Sequence, residues 1–150
     1  GSAAEALHMA EELAGRFRGN RRSLPGLCLA ADCTALTCIA NDFGYDEVFG
    51  RQVEGHARAG DLVMLFSTSG QAVNLKRAIE AARVAGARTA ALLGRDGGPL
   101  KGEADLEVIV PGSATERIQE AHQVVLHIIL DAVEDAFAAA EDAGGRETER

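Results

Sequence analysis

Apolar residues along the chain fall into two arrangements that take turns: short continuous runs and stripes of helical period. Leu62 to Phe66 is a run of buried-strand length, and Leu75, Ala78, Ile79 and Ala82 then recur at i, i+3, i+4 and i+7, one face of an amphipathic helix. Between them stands Ser67-Thr68-Ser69-Gly70, so this unit reads as strand, hydroxyl-rich loop, helix. The runs Leu27 to Ala31, Thr89 to Leu93 and Leu106 to Val110 predict three more strands. A first helix is expected from Ala3 to Phe17, with Ala6, Ala10, Leu13 and Phe17 as its stripe and Gly19-Asn20 ending it. Shorter helices are expected from Thr34 to Ala40, capped by Asp32, and from Asp46 to a stop at Gly60. A long final helix spans Ala114 to Ala140, opened by a Ser113/Glu116 capping box and carrying Ile118, Val125, Ile129 and Ala132 on one face. Strands separated by helical segments imply an α/β fold, a parallel sheet covered by helices on both faces.

Composition narrows this to one domain. The 150 residues are 47% hydrophobic and 25% charged, and no apolar run approaches the roughly 20 residues that span a bilayer. A formal net charge of −8 argues against nucleic-acid and anionic-membrane partners, whose phosphates are met by Lys and Arg. Cys28, Cys33 and Cys38 are odd in number and lack CxxC spacing, so they read as reduced packing residues. With no basic segment preceding an apolar signal-like run, a cytoplasmic location is expected. Gly94 to Gly98 lacks the G-x-G-x-x-G spacing and there is no Walker A sequence, so no nucleotide cofactor is expected. The domain is placed at 1–143, with 144–150 a frayed tail.

Ligands of open α/β sheets bind beyond the carboxyl ends of the strands. That edge collects Asp32, Ser67 to Gly70, Gly94 to Gly98 and Pro111 to Ser113. The Ser67–Gly70 loop suits a phosphate, because hydroxyls and backbone N–H groups meet there at the positive end of a helix; it equally suits a plain helix cap. His8 and Glu12, four apart on the first helix, are metal ligands, a catalytic pair or a surface pair. Gln119, Gln123 and His127 form a polar stripe along the last helix, while His56 sits among charged neighbours on a solvated face.

Taken together, Gly1-Ser2-Ala3-Ala4, HMAEEL, IANDFGYDEVFGRQVE, STSG, GRDGG and RIQEAH resemble the phosphoheptose isomerases of the sugar isomerase (SIS) domain superfamily, from Gly1 to about Asp135. The resemblance implies a three-layer α/β/α sandwich of flavodoxin-like type, assembled as a homotetramer. It implies an aldose–ketose isomerase acting on sedoheptulose 7-phosphate to give D-glycero-D-manno-heptose 7-phosphate. By the same resemblance Glu12 and His127 match the acid/base residues, and His8, Glu12, Gln119 and His127 match the ligands of a zinc ion; because Glu12 and His127 then carry both roles, an open, labile site is expected. Ser67, Thr68 and Ser69 match the phosphate loop, and Ser2, Arg16, Asn41, Asp42 and Gln119 match further substrate contacts.

The chain departs from that pattern in two places. The family carries an N-terminal helix and a first strand ending in G-N-G-G-S, whereas Gly1-Ser2 begins this sequence, so that helix and strand are expected not to lie within these 150 residues. Where the family continues STSGN with a second Ser, Gln71-Ala72 stands here, one phosphate hydroxyl fewer. Two rival readings belong to the same superfamily. One is an isomerase of a related sugar phosphate in secondary-metabolite heptose or octose synthesis. The other is a non-catalytic SIS protein that binds a replication initiator; such proteins lack the Glu and His that stand here at positions 12 and 127.

Overall fold

Side chains alternate across the strands, and the alternation sorts the core into two layers. The structure is a computed structural model that describes the backbone of residues 1–147 and the side chains of residues 1–139. Its sheet contains β1 (Leu62–Ser67), β2 (Arg88–Gly94) and β3 (Leu106–Val110), all parallel in the order β1-β2-β3. Leu65 of β1 and Ala91 and Leu93 of β2 enter one cluster, with Ala78, Ile79, Ala81 and Ala82 of α4 (Val73–Ala85) and Val53 of α3 (Gly50–His56). Phe66 and Leu92 enter the other, with Met9 of α1 (Ser2–Ala14) and Leu126 and Leu130 of α5 (Thr115–Glu147). Fully burying a Leu, Ile or Phe stabilises by about 1.5–3 kcal/mol each, so these two layers carry the fold. This is the three-layer α/β/α architecture expected from the sequence.

The central unit forms as expected, and so does β3. Elsewhere capping and pairing move the boundaries. α1 stops at Ala14, three residues short of Phe17, because side chains take its last carbonyls: the Arg21 guanidinium donates to Glu12 O and Leu13 O at 2.8 and 3.0 Å, and Ser23 Oγ donates to Ala14 O at 2.8 Å. The Leu27–Ala31 run is not a strand. Leu27 is exposed, Ala31 N–H turns back to Cys28 O, and Leu29 O is taken by the Gln52 amide at 3.0 Å. A strand needs a backbone ladder, and here a side chain has replaced it.

The helix expected from Asp46 divides into a 3-10 turn, Tyr45–Glu47, followed by α3, which ends at His56 rather than near Gly60. α2 (Cys33–Phe43) is longer than Thr34 to Ala40 and is capped as expected: Asp32 accepts from the N–H groups of Thr34 and Ala35 at 2.8 and 3.1 Å. Those bonds hold its carboxyl below the usual range, the Thr34 hydroxyl contributing most. At the start of α5 the Ile118 amide bonds Ala114 O, so Ala114 takes the cap position, and no Ser113–Glu116 bond forms among the described residues. α5 continues through Gly144 and Gly145 to Glu147, where a tail was expected; residues 148–150 lie outside the described part. Of the cysteines, Cys28 is buried as a packing residue should be, but Cys33 and Cys38 are exposed.

Candidate active site

The loop after β1 is held by bonds from its own N–H groups to its own serine hydroxyls. Ser67, buried at the strand end, accepts the Gly70 N–H on Oγ at 3.0 Å, and Ser69 Oγ accepts the Gln71 N–H at 3.3 Å. Gly70 has φ +65°, and a Cβ there would lie 1.9 Å from Gly97 O, so the loop closes directly on the turn after β2. Gly94 makes a second close approach: its Cβ would meet Thr68 O at 2.3 Å and Ile118 of α5 at 2.6 Å. Ala72 caps α4 without a side-chain bond, which leaves the first-turn N–H groups facing the same edge as the Thr68 and Ser69 hydroxyls. Asn74, buried in that first turn, is a polar residue the sequence reading passed over.

A second group of polar side chains lies on the opposite face of the sheet from α4, at the seam between α1 and α5. His8 Nε2 meets Glu12 Oε1 at 3.2 Å. The Gln123 amide nitrogen reaches His8 Nδ1 at 2.6 Å and His127 Nε2 at 3.0 Å, so one amide donates to both imidazoles. With Nδ1 accepting, His8 carries its proton on Nε2 and donates it to Glu12. The two rings meet edge to face at 5.4 Å, and Phe17 stacks on His127 at 5.5 Å. Phe17 reaches that place because Glu134 of α5 accepts the N–H groups of Phe17, Arg18 and Gly19 at 2.8–3.2 Å. Those bonds, Gly19 foremost, hold the Glu134 carboxyl below its ordinary value.

Four of the residues singled out in the sequence therefore stand close together: His8, Glu12 and His127, joined by Gln123, which the sequence placed only on a polar stripe. Its signal was present, four residues from both Gln119 and His127, but nothing in one dimension shows which stripe residue faces α1. Gln119 lies against Gly1, where a Cβ would come within 1.7 Å of its amide nitrogen. Ser2 is half-buried in the first turn of α1, and Arg16 is exposed in the turn beyond it. Asn41 and Asp42 are exposed on α2 and bonded to each other at 2.8 Å; α2 packs chiefly on the Tyr45–Glu47 turn.

Imidazole nitrogens and a carboxylate form a donor set that suits zinc. The ligand atoms of His8, Glu11 and Glu12 lie within 4.8 Å of one another, so two of the expected ligands fit a shared ion, and Glu11 is an addition.

The SIS domain model matches residues 1–94. The phosphoheptose isomerase of a Geobacter strain is 53% identical over 134 residues, spanning 89% of this chain and 70% of that protein. That of Geobacter sulfurreducens is 49% identical, spanning 89% and 71%. Among solved structures, phosphoheptose isomerase GmhA from Neisseria gonorrhoeae aligns with TM-score 0.79 at 39% identity, covering 89% of this chain and 71% of its own. A phosphoheptose isomerase from Francisella tularensis aligns with TM-score 0.82 at 30% identity, covering 87% and 70%. On matches of this extent the chain belongs to the SIS-domain family of phosphoheptose isomerases, and it is an isomerase.

Proposed function

We propose that the chain interconverts sedoheptulose 7-phosphate and D-glycero-D-manno-heptose 7-phosphate, with Glu12 and His127 moving the protons. The observation that carries this reading is the side-chain chain Glu12–His8–Gln123–His127 across the α1/α5 seam. Aldose–ketose exchange needs one group to move a proton between C1 and C2 and another to move one between the two oxygens. Glu12, a carboxylate steadied by the His8 N–H, serves the carbon. His127, its ring fixed by Phe17 on one side and Gln123 at Nε2, serves the oxygens. The substrate's phosphate is held by Thr68, Ser69 and the N-terminus of α4, with Ser67 bracing the loop. Ser2, Arg16 and Gln119 belong to the sugar end.

Zinc, when bound, polarises the sugar carbonyl. His8, Glu12, Gln119 and His127 are its proposed ligands. The homotetramer is likewise proposed. α2 has no buried residue, so Asn41 and Asp42 have open surface for contact with another subunit, and Leu7, Val124 and Ile128 leave apolar groups exposed on α1 and α5. A cytoplasmic location accords with three free cysteines, and no described helix is long and apolar enough to cross a membrane.

Incubation with sedoheptulose 7-phosphate, followed by NMR, tests the reading: the aldose should accumulate to equilibrium. Glu12→Gln should lower kcat at least about 100-fold, and near-native turnover in that variant removes Glu12 from the role. Chelation should release metal and reduce turnover; full activity of metal-free protein removes zinc. Lack of conversion with zinc supplied moves the substrate to another sugar phosphate, for which the Gln71-Ala72 loop is the reason.

A further inference from the structure

Two ionisable side chains sit deeper than any in the seam and take no part in the chemistry above. Glu5 is 5% exposed and His122 is 0% exposed. His122 Nε2 lies 3.1 Å from Leu93 O; a carbonyl only accepts, so that nitrogen carries a proton. The other ring nitrogen, Nδ1, faces Glu5 Oε2 at 3.7 Å, and neither Glu5 oxygen nor Nδ1 has a hydrogen bond among the described residues. Buried polar groups left without hydrogen bonds cost stability, and apolar replacements of similar volume are commonly neutral or better. Stability is therefore a weak reason for this pair to occupy the core.

Its location supplies a stronger one. Glu5 is seven residues before Glu12, almost two turns, and so lies on the same face of α1. His122 adjoins Gln123, the amide that joins both site imidazoles. Leu93 adjoins Gly94, the residue against which Thr68 of the phosphate loop is pressed. One imidazole thus touches α1 through Glu5, belongs to α5, and holds the strand end that seats the loop. The RIQEAH stretch made His122 visible in the sequence, yet no role in handling substrate falls to it.

We infer that His122, anchored on the Leu93 carbonyl and set against Glu5, is a positioning residue that fixes the proton-moving seam relative to the phosphate loop. This rests on the isomerase reading for its catalytic consequence, though not for its geometry. The test compares Glu5→Leu with Glu5→Gln in the zinc-loaded protein. Leucine offers His122 Nδ1 nothing, whereas the glutamine amide donates to it. Loosening a site by an ångström can cost as much as about 100-fold, so Glu5→Leu should lower kcat for sedoheptulose 7-phosphate by about tenfold or more, with KM within about threefold and no loss of melting temperature. Glu5→Gln should stay within about threefold of the native kcat. Independently of turnover, 15N NMR of the histidine rings should show His122 protonated on Nε2, with the His8 and His127 signals displaced in Glu5→Leu and unmoved in Glu5→Gln. Should Glu5→Leu not fold, Glu5→Asp, which withdraws the carboxylate by one methylene, should displace the same signals. Native kcat and unmoved rings in the leucine or aspartate variant overturn the inference, as does a glutamine variant as damaged as the leucine one. If the native protein fails to turn over sedoheptulose 7-phosphate, the isomerase reading fails, and the ring signals still decide the positioning role.

Discussion

The Ser67–Gly70 loop and the α1/α5 seam, to which the proposed reaction gives the phosphate and the proton transfers, are built on opposite plans. The loop is a local structure: Ser67 to Gly70 are consecutive, the bonds to their hydroxyls span two or three residues, and a positive-φ glycine pressed on Gly97 sets the shape. The seam is a side-chain structure: His8 and Gln123 are 115 residues apart, and their bond exists only because two helices lie side by side on the sheet. A site of the first kind fails through strain and steric conflict. A site of the second kind fails when one polar group is lost, while the fold around it survives.

Substitutions at Gly70 and Gln123 set the two plans against each other. Gly70→Ala should have the largest effect. The left-handed conformation costs about 1–2 kcal/mol for any side chain, and contact with the Gly97 carbonyl adds to it, so a loss of about 3 kcal/mol or more is expected on thermal denaturation. Gln123→Met is expected to do the reverse. Its side chain is similar in volume and both helices stay packed, so the melting temperature should hardly move while kcat falls about tenfold, equivalent to about 1.4 kcal/mol. If Gly70→Ala proves stable, or Gln123→Met unfolds the protein, the division between the two regions is wrong.

Ala72→Ser sharpens the comparison from the other side, because it adds to the locally built site. A hydroxyl at this uncapped helix start should stabilise the protein by about 1 kcal/mol and lower KM for the sugar phosphate, readable by melting temperature and initial rates. The smallest effect is expected from Glu134→Gln, a modest loss of stability at neutral pH that closes as the pH falls. The Glu134 carboxyl is held below its ordinary value of 4.5, so its contribution is complete above that pH and is lost as pH falls through the lower folded value. Native protein should therefore lose stability more steeply than Glu134→Gln in denaturation series run below pH 4.5.

The same contrast explains which parts of the molecule were legible beforehand. β1, the hydroxyl loop and α4 form one contiguous unit whose signals are local, a run, a cluster and a period, and they appear where those signals lie. Leu27–Ala31 had the composition of a strand but its pairing is non-local, and the Gln52 amide took the Leu29 carbonyl instead. The early stop of α1 was equally hidden, because Arg21 and Ser23 cap it from across a turn.

By itself the sequence determined the α/β class, the parallel sheet, the loop at a strand's carboxyl end and the residues from which a site could be made. These follow from periodicity and from short-range hydrogen bonding, both set by neighbours along the chain. Tertiary structure alone decided that Gln123 joins His8 to His127, that Phe17 stacks on His127, and that His122 faces Glu5 beneath them. Those contacts depend on how α1 and α5 rotate about their axes on the sheet, and that rotation is chosen by packing of Met9, Phe66, Leu92, Leu126 and Leu130.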